Sequence, residues 1–291
     1  MPTFTVPNEI EAQPIKNYLR KYENISLTLW RKIKNNNCLK INGILINPGT
    51  AMIKANDHIS YEIEEHCQIS PIEMPLNICY EDEYLIVIDK PAGQLVHPTT
   101  KEHYTTLANA LLYHYKKQGL PLSFHPVHRL DKNTSGLVLI AKMPHIQNLF
   151  SFSSQQKTLH RTYQALVLGT PAPTEGIIHA PIARKPNSII ERVVSENGQE
   201  AITHYKIIKT FSDFSLVELE LTTGRTHQLR VHLSFIGHPI LGDDLYGKAT
   251  ELIHRQALHA KQLAFIHPIT KQKIELTSQL PKDIQQIINT Q

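Results

Sequence analysis

The densest chemistry in this chain lies in His125-Pro126-Val127-His128-Arg129-Leu130-Asp131-Lys132-Asn133-Thr134-Ser135-Gly136, where imidazoles, two cations and one carboxylate stand among turn formers between two apolar segments. A loop of that composition is poor core material. Arg129 and Lys132 favour the ionised form of Asp131, which suits the carboxylate to act as a nucleophile or base rather than as a neutral acid. Two other readings compete on residue type alone. An Asp ahead of Asn-Thr-Ser-Gly is often a turn residue satisfied by local hydrogen bonds. His125, His128 and Asp131 are also the right ligand types for a divalent metal. Against the metal stand the two neighbouring cations and the lack of a further ligand pair of the His-x-x-x-His or Cys-x-x-Cys kind.

A second constellation is Leu221-Thr222-Thr223-Gly224-Arg225-Thr226-His227-Gln228-Leu229-Arg230-Val231-His232, where a strand passes through a glycine turn into a helix whose buried face is marked by Leu229, Leu233 and Ile236. Arg225 then stands at the helix N-terminus, where the macrodipole disfavours a cation unless an anion is near. Asp131 or a phosphate of a bound partner could be that anion, and an exposed turn arginine is the plainer alternative.

The elements that position these groups follow from hydrophobic period and turn chemistry. In 291 residues, 41% hydrophobic and 19% charged, there is material for two folded units rather than one. Ile15, Leu19 and Tyr22, then Leu27, Trp30 and Ile33 with Ser26 as N-cap, predict two short helices. Strands around Asn42-Gly43 and a third through Ile59, Tyr61 and Ile63 complete a small ααβββ unit over residues 1–70. Pro71 and Pro75 lie in an aperiodic, linker-like stretch of residues 65–77, and the linker between the two units is set at 71–77. From Ile78 to the end at 291 the pattern predicts strands at 84–88, 137–141, 163–168, 202–208, 214–221, 262–266 and 273–277. Helices are expected from Thr106 to before Gly119 and after Pro144, Thr226 and Pro281. Many strands and few intervening helices predict an α+β domain with a mixed, largely antiparallel sheet.

Composition excludes several classes. Cys38, Cys67 and Cys79 are odd in number and widely spaced, so they form no disulfide framework and no zinc-ligand pair. Thirty Lys and Arg against 26 Asp and Glu give a net charge of +4, which permits RNA binding without arguing for it. No apolar run is long enough for a bilayer, and Met1-Pro2-Thr3-Phe4-Thr5 lacks the plan of a secretory signal, so a cytoplasmic location without membrane association is expected.

His128-Arg129-Leu130-Asp131 followed by Thr134-Ser135-Gly136 resembles the signature of RluA-type pseudouridine synthases. Lys90-Pro91-Ala92-Gly93, Arg161-Thr162-Tyr163-Gln164-Ala165, Gly224-Arg225-Thr226-His227-Gln228-Leu229-Arg230, Gly237-His238-Pro239, Asp243-Asp244-Leu245-Tyr246-Gly247 and Leu258-His259-Ala260 resemble that family's other motifs, in order, across residues 78–268. Leu39-Lys40-Ile41-Asn42-Gly43 and the order of elements around it resemble the small RNA-binding domain of a small-subunit ribosomal protein. The resemblance implies isomerisation of uridine to pseudouridine in RNA, with ribosomal RNA the foremost substrate and transfer RNA the alternative. It implies Asp131 as the catalytic carboxylate, Tyr163 stacked on the flipped base, Arg225 paired with Asp131, and Arg129 filling the space the base vacates. Lys90 and His128, with Arg20 and Arg31 of the N-terminal helices, are expected to contact RNA. No cofactor or metal is expected, and the chain is expected to act as a monomer.

Overall fold

The computed structural model describes residues 2–63, 67–153 and 159–290, and organises them around two sheets with separate hydrophobic cores. Residues 65 and 66, at the start of the segment read as a linker, lie outside the described residues. The N-terminal unit contains β1 (Thr3–Thr5), β2 (Gln13–Pro14), α1 (Ile15–Lys21), α2 (Leu27–Asn35), β3 (Leu39–Ile41), β4 (Ile44–Leu45), β5 (Met52–Ile53) and β6 (His58–Tyr61). Ser26 Oγ accepts from Leu29 N and starts α2. Asn42 and Gly43 both take positive φ, 51° and 82°, the backbone of a two-residue hairpin turn matched to strand twist. Ile15, Tyr18 and Leu19 of α1 and Leu29, Trp30 and Ile33 of α2 pack with Leu39, Ile53, Ile59 and Tyr61. The sheet runs β1-β6-β3-β4, and β2 pairs with β5 beside it. The pattern is therefore richer than ααβββ by three short strands, too brief and polar to show a period of two.

The larger unit contains β7 (Ile78–Glu81), β8 (Leu85–Lys90), α3 (Leu107–Lys117), β9 (His125–Pro126), β10 (Ser135–Ala141), α4 (Pro144–Ser153), β11 (Leu159–Leu168), β12 (Glu175–His179), β13 (Ile182–Arg184), β14 (Arg192–Val194), β15 (Ile202–Thr210), β16 (Phe214–Leu221), α5 (Gln228–Phe235), β17 (Leu258–Ile266), β18 (Lys273–Thr277) and α6 (Lys282–Asn289). Ten strands form one sheet in the order β12-β15-β16-β11-β17-β10-β8-β7, with β18 on β17 and β9 on β10. Among the described residues only the β10–β17 contact in it is parallel, so the sheet is mixed and largely antiparallel.

Both faces of the central strands are covered, which is why their sequences read as continuous apolar runs. Ile86, Ile88, Val138 and Ile140 point to a core shared with α3, α5 and α6, while Leu85, Val87, Leu137 and Leu139 point to one shared with Ile146 and Phe150 of α4. The parallel contact requires close backbone approach at Gly136, whose φ is 111° and where an added Cβ would sit 2.3 Å from Ala260 O. The stretch after residue 67 is bonded to the large unit rather than spanning freely. Asn109 Nδ2 donates to Ser70 O, Ile72 N to Asn109 O and Asp89 N to Asn77 O, and Ile69 and Leu76 pack on the main core.

Candidate active site

The loop between β9 and β10 carries Asp131 and is held mainly through its backbone. Thr134 N donates to Asp131 O at 3.1 Å, closing a turn. Lys132 O accepts from Gly93 N at 2.9 Å and from Lys90 Nζ at 3.1 Å. Asn133 O accepts from Arg255 Nη1 at 3.1 Å, and Arg255 is itself fixed by a two-pronged pair to Asp283 at 2.7 and 2.9 Å.

Lys90 was expected at an RNA surface, and the structure corrects this. It is fully buried, and its Nζ also donates to Pro91 O and Gln94 O at 2.8 Å, so the ammonium's three protons go to three carbonyls. Burial pushes its pKa down to about 7, with the Asp131 charge opposing. His128 is also largely buried, in the wall of the cleft. Its Nε2 accepts from Leu139 N at 3.2 Å, and burial, reinforced by the Arg161 charge, pushes its pKa down to about 3, so the ring is neutral. Lys132 points away from Asp131 to Glu102. Arg129 is exposed and lines the cleft.

That cleft, of about 400 Å³, is bounded by residues 126–131, by Arg161 and Tyr163 of β11, and by residues 224–230 ahead of and within α5. Asp131 is one-quarter exposed on it, at 26%. A register shift between Thr162 and Tyr163 on β11 marks the point where the tyrosine enters the wall. Tyr163 is 4% exposed, and burial and the Asp131 charge raise its phenol pKa against the pull of Arg161, so it presents a neutral ring. Gly224 leaves room for Arg161, whose Nη1 would lie 2.9 Å from a Cβ placed there.

The cation beside Asp131 is Arg230, not Arg225. Arg230 Nη1 stands 3.4 Å from Asp131 Oδ2, while Nε and Nη2 pair with Asp243 Oδ2 and Oδ1, both at 2.7 Å. Arg225 instead donates from Nε to Glu200 O at 2.9 Å. The reason is helix geometry. Arg230 lies in the first turn of α5, and helical side chains lean toward the N-terminus, so it reaches back to the loop in front of the helix. Arg225 precedes the helix and leaves toward the strand side. The cation at the helix start that needs an anion is Arg230, and Asp243 supplies it along with Asp131.

Sequence reasoning also gave no role to His227 or Tyr246. His227 caps α5 with a left-handed φ of 58°. Its Nδ1 lies 2.8 Å from Tyr246 Oη, and its Nε2 lies 3.9 Å from Asp131 Oδ1. Burial lowers its pKa, with the Asp131 charge opposing. Tyr246 Oη accepts from Arg192 N at 2.8 Å, and the Arg230 guanidinium lies 5.0 Å from the Tyr246 ring centre. Among the described residues no three His, Cys, Asp or Glu side chains are grouped to hold a metal, and no helix is long and apolar enough to cross a membrane. Arg20 and Arg31 stand exposed on α1 and α2, in the N-terminal unit with its separate core.

A family profile described as RNA pseudouridylate synthase matches residues 84–235, which include the Asp131 loop, β11 and α5. The chain belongs to the RNA pseudouridylate synthase family. It is accordingly an RNA pseudouridine synthase, an isomerase. Similar curated proteins include the uncharacterized RNA pseudouridine synthase YjbO of Bacillus subtilis, 40% identical over 78% of this chain and 80% of that one. Another is the ribosomal large subunit pseudouridine synthase D of Zymomonas mobilis, 39% identical over 84% and 82%. Among solved structures, human RNA pseudouridylate synthase domain containing 4 is similar with a TM-score of 0.60 and 27% identity, covering 73% of this chain and 92% of that one.

Proposed function

We propose that this enzyme isomerises uridine in ribosomal RNA with Asp131 as the reacting carboxylate. The observation that carries the reading is a part-exposed carboxylate on a cleft wall, with the Arg230 cation 3.4 Å from one oxygen and the Tyr163 ring lining the same cleft. An ionised carboxylate so placed can attack or deprotonate the ribose, the uracil leaves and turns, and carbon 5 takes the place of nitrogen 1. The isomerisation adds no atoms. The uridine must leave its stack to enter, at a cost of a few kcal/mol that stacking on Tyr163 and contact with Arg129 offset.

Ribosomal RNA is favoured because relatives 36–43% identical carry the name ribosomal large subunit pseudouridine synthase D. The N-terminal unit serves as an RNA-binding arm in this reading: Lys16, Arg20, Lys21, Arg31, Lys32 and Lys34 are exposed on α1 and α2, suited to phosphate contacts that carry no sequence information. The test of the site is Asp131→Asn, which is nearly isosteric and removes only the anionic charge. Pseudouridine formation should vanish while affinity for unmodified large-subunit ribosomal RNA stays within a few-fold. Substantial residual turnover would reject Asp131 as the reacting group.

A further inference from the structure

We propose that His227 is a further catalytic residue, a neutral imidazole whose Nε2–H donates a hydrogen bond to a carbonyl oxygen of the departing uracil, with Tyr246 as the positioning residue that fixes its tautomer. This rests on the assignment of the Asp131 cleft as the place where the uridine reacts.

The tautomer follows from hydrogen-bond accounting. Arg192 N is a backbone donor and its 2.8 Å bond to Tyr246 Oη uses that oxygen as an acceptor. The hydroxyl has one proton, and His227 Nδ1 lies 2.8 Å away to receive it. Were the imidazole to donate instead, Tyr246 Oη would accept twice and its proton would lack this partner. With Nδ1 accepting, the neutral ring carries its proton on Nε2, on the side facing Asp131. The 3.9 Å to Asp131 Oδ1 is too long for a hydrogen bond, so Nε2–H is left to point into the cleft that His227 lines. The ring is also held edge-on against Tyr246, with centroids 5.7 Å apart at 74°.

The backbone supports a functional placement. A positive φ at a non-glycine residue is uncommon, and here it puts His227 at the mouth of α5, between the Asp131 loop and Tyr246. The charged and titratable groups around it are Asp131, Arg230, Arg192 and Asp243, together with the Tyr246 hydroxyl. Burial favours the neutral ring, which can donate without surrendering a proton to Asp131.

The chemistry calls for such a donor. On the route in which an Asp131 oxygen bonds to C1′ as the bond between C1′ and N1 breaks, the electron pair leaves with N1 and the negative charge spreads to the two uracil carbonyl oxygens. A fixed donor aimed at that charge stabilises it more in the transition state than in the bound uridine. No proton moves in this step. When C5 then bonds to C1′, the bond from C1′ to the Asp131 oxygen breaks and its pair returns to the carboxylate; the C5 proton is lost and N1 gains one, so atoms and charge balance without an oxidant.

The experiment measures single-turnover rates and affinities of the full chain on an unmodified large-subunit ribosomal RNA transcript, made once with uridine and once with 5-fluorouridine. The rate read is loss of the original nucleoside at the target position. Fluorine withdraws charge, so its departing base needs less help. His227→Asn suits the left-handed backbone but ends near the place of Nδ1, so no N–H reaches where Nε2–H stood. It should slow the uridine transcript about 100-fold and the fluorinated one only about tenfold, with affinity within about threefold. Tyr246→Phe keeps the ring and releases the tautomer, and should cost the rate about tenfold with the same affinity. Equal losses on both transcripts would mark a structural role, and wild-type rates in both variants would also overturn the proposal. An Asp131→Asn control separates the two ideas. If it turns over normally, the cleft assignment has failed. If it is dead while the His227 and Tyr246 variants are fast, only the donor role has failed.

Discussion

Arg230 joins two carboxylates of unlike surroundings, and substitution at it and at Asp243 separates stability from catalysis. Asp243 is fully buried and Arg230 is 7% exposed, so Arg230→Met leaves a carboxylate in the core with only Leu245 N and Tyr246 N, at 3.1 and 3.0 Å, as donors. Breaking a buried pair from one side costs about 3–5 kcal/mol. For a domain of this size that lowers the melting temperature by roughly 6–20 °C. The Asp131 contact adds little to stability, about 1 kcal/mol at most, because that carboxylate is 26% exposed. Adding Asp243→Leu removes the stranded charge, and the double variant should recover to within about 2 kcal/mol of wild type, the remainder being two backbone donors without acceptors. Its turnover should stay depressed by about 100-fold, because Asp131 still lacks its cation. Thermal unfolding and single-turnover pseudouridine formation on the same three proteins decide it. If the double variant regains wild-type rates, Arg230 does not serve Asp131, and if the single variant melts within a degree or two of wild type, the buried-pair reasoning is wrong.

Tyr163→Leu keeps bulk but loses the aromatic face, worth about 1–3 kcal/mol against a stacked base; single-turnover rate should fall well before RNA affinity does, and equal losses would reject the role. Acid should destabilise the fold between pH 6.5 and 4. His128, His145 and His259 are buried with pKa values pushed down to about 3, 4 and 4, so the unfolded chain binds their protons first as pH falls. Each contributes about 2 kcal/mol less at pH 5 than at pH 7, and denaturant melts that give equal stability at the two pH values would contradict this. A chain begun at residue 68 keeps Ile69, Ser70 and Ile72 on the large unit, and should remain folded and act on a short stem-loop. Its affinity for ribosomal RNA should fall less steeply with salt than that of the full chain, and an unchanged slope would remove the RNA-binding role from α1 and α2.

Most of the large sheet was legible because its central strands are long and apolar enough to stand out, and because Thr106, Pro144 and Pro281 punctuate the helices. The short strands β1, β2, β5, β7, β9, β12, β13 and β14 were not. Ile177 is 64% exposed on the edge strand β12, and a three-residue hairpin such as β13–β14 has no room for a period to show. Site roles failed where they depended on direction or depth. A lysine before Pro-Ala-Gly reads as solvated until three carbonyls are seen to surround its ammonium. Two arginines five residues apart read alike until the helix start at Gln228 decides which one leans toward the loop.

The Asp131 loop is secured at positions 132 and 133 by their carbonyl oxygens, which take bonds from Gly93, Lys90 and Arg255. A carbonyl is present whatever residue supplies it, so the anchorage is indifferent to which side chains the loop displays at those two places. Lys132 and Asn133 can therefore be exchanged for other residues without loosening Asp131, and the surface behind the loop, where Lys132 reaches Glu102, is open to change while the Asp131 carboxylate keeps its seat. Libraries randomised at 132 and 133 should accordingly keep single-turnover rates close to those of the wild type.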